Sequence, residues 1–233
     1  MKNLQQLEEQ EERSILTAPL QRRSFLQFAG AGMAGAALLA AGCTKDDGIV
    51  AAPSTGVTLD FKDDFGVLNY AYALEQLEAA FYIQVASSFA SGFSTAERAK
   101  LDDIRLHEIS HREFFKKALG NAGIGSLEVD FSSINFSDRT SVLATAKAFE
   151  DLGVAAYNGA GVRIKDDKYL VAAGQIVSVE ARHAAYIRDI IANGSFANSE
   201  VVDSNGLDQA FTPDKVLGIA KKYIKTQINV INL

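Results

Sequence analysis

Leu106-His107-Glu108-Ile109-Ser110-His111 and Val179-Glu180-Ala181-Arg182-His183 share one pattern, Glu-x-x-His. The chain has only three histidines, and two of them stand three residues after a glutamate. On a helix, positions i and i+3 lie on one face, so a carboxylate and an imidazole so placed converge on one point. Carboxylate oxygen and imidazole nitrogen together suit iron or manganese. The rest of the chain decides whether further carboxylates join them.

Four helical stretches surround these motifs. The first runs from about Asp63 to Ser88, with the stripe Phe65, Leu68, Tyr72, Glu75, Ala79, Tyr82, Ala86 stepping alternately by three and four. This is a bundle seam with a carboxylate set into it. The opposite stripe, Val67, Leu74, Leu77, Phe81 and Val85, is also apolar, which predicts burial on two sides. The second helix starts at Ser94, whose capping-box partner is Glu97, and stops at Gly120-Asn121. Leu101, Ile104, Glu108, His111, Phe115 and Ala118 face inward. The third spans about Ser137 to Gly161, with Leu143, Ala146, Glu150, Val154, Tyr157 and Gly161 inward. Gly153 and Gly159 weaken it and permit close approach of a neighbour. The fourth runs from about Asp167 to Asn193, closed by Gly194, with Tyr169, Ala173, Ile176, Glu180, His183, Ile187 and Ile190 inward.

Short links join helices one to two and three to four, while the longer segment Asn121–Phe136 separates the two pairs. Two antiparallel hairpins with one long crossover make an all-α, ferritin-like four-helix arrangement. A fifth helix begins at Thr212-Pro213, a cap followed by proline in the first turn. It is expected to cover the second face of helix one.

Helices one and three repeat each other. Ala73-Leu74-Glu75-Gln76-Leu77 matches Ala148-Phe149-Glu150-Asp151-Leu152, and Tyr82 matches Tyr157. Each glutamate stands seven residues before its tyrosine, two turns along one face. Each half therefore offers three candidate metal ligands: Glu75, Glu108 and His111, then Glu150, Glu180 and His183. A lone helix glutamate is usually solvated, but a carboxylate on an apolar seam costs several kcal/mol unless partnered. Glu78 competes with Glu75, yet it lies on the other stripe and its counterpart in the repeat is Gly153. Tyr82 and Tyr157 are candidate hydrogen-bond donors or electron sources beside the site, although a seam tyrosine is more often packing.

This pattern resembles the ligand set of the ferritin, bacterioferritin and rubrerythrin superfamily. The phrase Leu68-Asn69-Tyr70-Ala71 through Leu77-Glu78-Ala79-Ala80-Phe81-Tyr82 most resembles the ferritin-like family that includes desiccation-related proteins. The likeness implies two iron or two manganese ions, bridged by Glu108 and Glu180. Glu75 and Glu150 would be terminal carboxylates, and His111 and His183 would each hold one ion. The superfamily often carries an acidic residue before each Glu-x-x-His glutamate, orienting the opposite histidine. Here those places hold His107, a partial substitute, and Val179, which cannot act so.

Residues 1–43 read as an export leader rather than part of the fold. Arg22-Arg23-Ser24-Phe25-Leu26 looks like a twin-arginine signal, and Leu38-Leu39-Ala40-Ala41-Gly42-Cys43 looks like a lipoprotein cleavage box with Cys43 as the lipidated residue. Residues 44–59 read as a flexible tether and 60–233 as the folded domain. This places the protein in the cell envelope, in the periplasm or outer membrane, held by a lipid anchor. The Lys45-Asp46-Asp47 run resembles a surface-export signal.

The single cysteine excludes an internal disulfide and a Cys-based zinc site. Net charge is -6 with no long basic run, which points away from nucleic acid. No dinucleotide-binding glycine motif, phosphate loop, haem-attachment motif or nucleophile elbow is present. The expected function is oxidation chemistry of ferroxidase, peroxidase or catalase type, acting on Fe(II), O2 or H2O2. The alternative is a non-catalytic metal-binding or envelope-protection protein. A homo-oligomer fits either reading, but a tethered amino terminus suits a storage shell poorly.

Overall fold

The computed structural model describes residues 56–233. The twin-arginine stretch, Cys43 and all but the last residues of the expected tether lie outside them. In chain order the elements are strand β1 (Gly56–Asp60), helices α1 (Asp64–Ser87), α2 (Thr95–Leu119), α3 (Arg139–Gly161), α4 (Asp167–Ile191) and α5 (Pro213–Ala220), and strand β2 (Gln227–Ile231). Helix α1 packs on α2, and α3 on α4, as two hairpins. Among the described residues no helix is long and apolar enough to cross a membrane.

The helix ends follow from local chemistry. Asp63 caps α1 by accepting from the Phe65 N–H at 3.0 Å. Ser94 and Glu97 form the reciprocal capping box of α2. Asp138 and Asp166 cap α3 and α4. Helix α2 stops at Gly120, whose positive φ of 51° lets the chain turn away. Asp64 also accepts from the Lys165 and Asp166 N–H groups, at 2.9 and 2.8 Å. The start of α1 is thereby fastened to the turn between α3 and α4.

Helices α1 and α3 are the inner pair, each buried on more than one side. Helices α2 and α4 each bury a narrower stripe. The second face of α1 is covered differently from the sequence expectation, because α5 packs chiefly against α3. The crossover does much of the covering. Asn69 and Gln76, two turns apart on α1, hold its backbone: Asn69 donates to the Ala122 carbonyl and accepts from Ile124 N–H, and Gln76 does the same with Gly125 and Leu127. Phe131 and Phe136 then close over Phe81, with ring centroids 6.1 and 5.8 Å away.

The fold also contains a small sheet that the all-helical expectation lacked. Strands β1 and β2 pair in parallel, from Gly56 against Gln227 to Asp60 against Ile231. Parallel strands need a crossover, and here the whole helical bundle serves as one. The last residues of the expected tether are therefore strand.

The two glycines of α3 each admit a particular neighbour. A Cβ on Gly153 would stand 3.0 Å from the Glu78 carboxylate. One on Gly159 would stand 1.8 Å from the Phe211 carbonyl oxygen, at the point where Phe211 N–H bonds to the Ala155 carbonyl at 2.9 Å. Gly159 thus docks the segment leading into α5. Gly159→Ala is expected to destabilise the domain by about 1–3 kcal/mol, read as a lower urea midpoint. An unchanged midpoint would contradict this docking.

Candidate metal centre

Glu75 on α1, Glu108 and His111 on α2, Glu150 on α3, and Glu180 and His183 on α4 meet at the centre of the bundle. All four carboxylates are fully buried, His183 is buried and His111 is half-buried. Their candidate ligand atoms fall into two groups, within each of which the atoms lie no more than 4.8 Å apart. One comprises Glu75, Glu108, His111 and Glu180; the other comprises Glu108, Glu150, Glu180 and His183. Glu108 and Glu180 belong to both. Glu78, also buried, stays outside both groups.

Each shared carboxylate turns one oxygen toward each group. Glu180 Oε1 lies 2.7 Å from His111 Nδ1, and its Oε2 lies 3.7 Å from His183 Nδ1. Glu108 Oε1 lies 2.9 Å from His183 Nδ1, and its Oε2 lies 3.8 Å from His111 Nδ1. The unshared carboxylates stand at the flanks. Glu75 Oε2 is 3.6 Å from His111 Nδ1, and Glu150 Oε2 is 3.4 Å from His183 Nδ1.

The hydrogen-bond accounting is one-sided. Among the described residues, nine buried side-chain polar atoms lack a hydrogen-bond partner. Eight are Glu75 Oε2, Glu150 Oε2, both oxygens of Glu108 and of Glu180, and the Nδ1 atoms of His111 and His183; the ninth is the Tyr70 hydroxyl. Buried polar groups are ordinarily satisfied, so eight orphans at one spot indicate a site built for something other than internal hydrogen bonds. They divide into four per group, three carboxylate oxygens and one imidazole nitrogen. That donor set fits a hard or borderline divalent ion of the iron or manganese kind.

The outer oxygens of the flanking carboxylates are occupied. The Tyr82 hydroxyl donates to Glu150 Oε1 and the Tyr157 hydroxyl to Glu75 Oε1. The tyrosine of each half thus reaches the glutamate of the other, because α1 and α3 run antiparallel with Glu75 opposite Tyr157. Each flanking glutamate is held with only Oε2 turned inward. The two tyrosines are hydrogen-bond donors to the site as well as packing. Sequence spacing could suggest this, but the partner lies on the other half of the repeat.

His107 also takes part. Its Nδ1 lies 2.9 Å from Nε2 of His183, and the two rings meet edge to edge, nearly coplanar, with centroids 5.2 Å apart. The residue before Glu108 therefore reaches the opposite histidine. Val179, before Glu180, offers no such group. Arg188 was not visible as important in the sequence: buried, it grips Asp151, the neighbour of Glu150, with two bonds of 2.8 Å. It bolts α4 to α3 beside the site.

Burial and mutual repulsion govern protonation. Burial first, then the Glu180 charge, pushes Glu108 up to about 8. Burial pushes Glu150 up to about 7 against the opposing charge of His183. Burial and the four site carboxylates push Glu78 well above the usual range. Glu180 runs the other way: burial would raise it, but the contacts with His111 and His183 hold it down at about 2. Burial opposes the charge of His183, yet Glu150 and Glu108 hold it up to about 12. His111 is raised for the same reason, against burial.

Two helical hairpins joined by a long crossover, with Glu and Glu-x-x-His from each hairpin converging at the core, make a ferritin-like bundle whose buried carboxylate and histidine groups could hold metal. The family model described as ferritin-like domain matches residues 63–193, more than half of the chain, and the protein belongs to that family. A comparison with curated proteins finds none that matches.

The raised groups fix the sign of a pH effect. Glu108 and Glu150 hold protons when folded that they release near 4.5 when unfolded, and His183 holds one that it releases near 6.5. The metal-free folded state therefore binds more protons, and its stability falls as pH rises, by about 1.4 kcal/mol per pH unit for each extra proton. Its melting midpoint is expected to drop from pH 6 to pH 9. Divalent metal displaces those protons, so added Mn(II) should flatten or reverse the trend. A metal-free midpoint that rises with pH over this range would contradict the assignment.

Proposed function

We propose that the domain binds a pair of iron or manganese ions and that the loaded centre reacts with O2 or H2O2, with Fe(II) as a further substrate. The observation that carries this is the set of eight unpartnered buried atoms, four for each of two positions that share Glu108 and Glu180. Two ions of variable valence held by these residues would supply two-electron chemistry toward oxygen or peroxide. The chain's own part is positional. Glu108 and Glu180 span both positions with one oxygen each. Tyr82 and Tyr157 hold Glu150 and Glu75 so that a single oxygen of each faces inward. The leader, with Arg22-Arg23 and Cys43, supports an exported and lipid-anchored protein of the cell envelope.

A second reading has its own support. Four carboxylates buried at one place repel one another, so metal would also brace the core. Turnover separates the two readings. The test is elemental analysis of protein purified after iron or manganese supplementation, beside a Glu108→Ala/Glu180→Ala variant. About two ions per chain are expected in the parent and few in the variant. Parent protein should then oxidise Fe(II) with O2 or consume H2O2; bound metal without either reaction supports the bracing role. A parent free of metal, with a variant that folds as well, would sink the dinuclear reading.

A further inference from the structure

The two halves of the site repeat each other in every inward atom, but not in what stands behind the histidines. If His183 offers the Nδ1 lone pair to a metal, its proton sits on Nε2. That N–H then points at Nδ1 of His107, 2.9 Å away. Nδ1 of His107 accepts in the tautomer whose proton is on its own Nε2. Its ring lies nearly parallel to that of His183, at an interplanar angle of 7°. Tautomer and ring orientation of His183 are therefore both set by a side chain that is itself on the protein surface. By the internal repeat, the residue in the corresponding place toward His111 is Val179, which has no acceptor. His111 is also the more exposed of the pair, its side chain 12% accessible against 5% for His183.

Resting on the dinuclear reading above, we infer that the two metal positions are unequal: the one flanked by Glu150 and His183 is preorganised by His107 and binds the first ion, and the one flanked by Glu75 and His111 binds the second. His107 is a positioning residue, acting on the metal only through His183. Partners of this kind typically change metal affinity by about 10–100-fold. An unsupported imidazole must give up ring rotation and tautomer freedom on binding, whereas His183 has already done so.

Mn(II) binding to metal-free protein, followed by the loss of the free-ion electron paramagnetic resonance signal, tests this. Each position is read alone, so that repulsion between two ions does not intrude. Glu75→Gln leaves the His183 position and Glu150→Gln leaves the His111 position. The first variant should bind one Mn(II) about tenfold or more tightly than the second. Adding His107→Ala should erase that advantage in the Glu75→Gln background and change nothing in the Glu150→Gln background. His107→Asp, which keeps an acceptor, should restore it. In the otherwise unaltered chain, Val179→Asp should tighten the second step and leave the first, a readout that does not depend on the glutamine variants. Equal affinities in the two backgrounds, or an advantage that survives His107→Ala, would overturn the inference while leaving two-metal binding intact. No Mn(II) binding by the parent would overturn both.

Discussion

Four glutamates at zero exposure in one core are the constraint on which the structure turns. A buried carboxylate without a partner costs several kcal/mol, and four near one another add repulsion to desolvation. The bundle meets this in part with two buried imidazoles, two tyrosine hydroxyls and raised proton affinity at Glu108 and Glu150. What remains is a set of inward-facing atoms that make close ion-pair contacts but no hydrogen bond of good geometry. Divalent cations held there would satisfy oxygen and nitrogen donors together and remove the repulsion. Fold and site are thus one electrostatic problem, and the frame around it has to be stiff.

The stiffness comes from pairing across the repeat. Tyr82 reaches Glu150 and Tyr157 reaches Glu75, so each inner helix positions a carboxylate of the other. Arg188 clamps Asp151 just beyond Glu150. Asn69 and Gln76 tie the crossover to the back of α1, and the β1–β2 pair joins the two ends of the domain. Rigid helices with locked side chains place donor atoms more accurately than loops do.

Much of this was legible in the sequence because the signals were periodic and local. Glu75 and Glu150 broke apolar seams, two of three histidines followed glutamates at helical spacing, and Ser94 with Glu97 marked a helix start within a residue. What was not legible joins distant, aperiodic positions. Gly56–Leu59 reads as the end of a flexible tether until Gln227–Ile231 is known to lie beside it. Asn69 and Gln76 serve an irregular backbone that has no pattern to recognise. Helix α5 shows an apolar face, but nothing in that face says that α3 rather than α1 receives it. His107 was marked by its place before Glu108, yet its ring contact with His183 depends on how α2 and α4 cross.

The central claim is that Glu108 and Glu180 each face two metal positions. It is tested most directly by anomalous X-ray diffraction from crystals of the protein loaded with Mn(II), measured on either side of the manganese edge. The account predicts two peaks about 3.5–4 Å apart, both within coordination distance of Glu108 and Glu180, one beside His111 and one beside His183. A single peak, or two peaks that do not share those carboxylates, would contradict it.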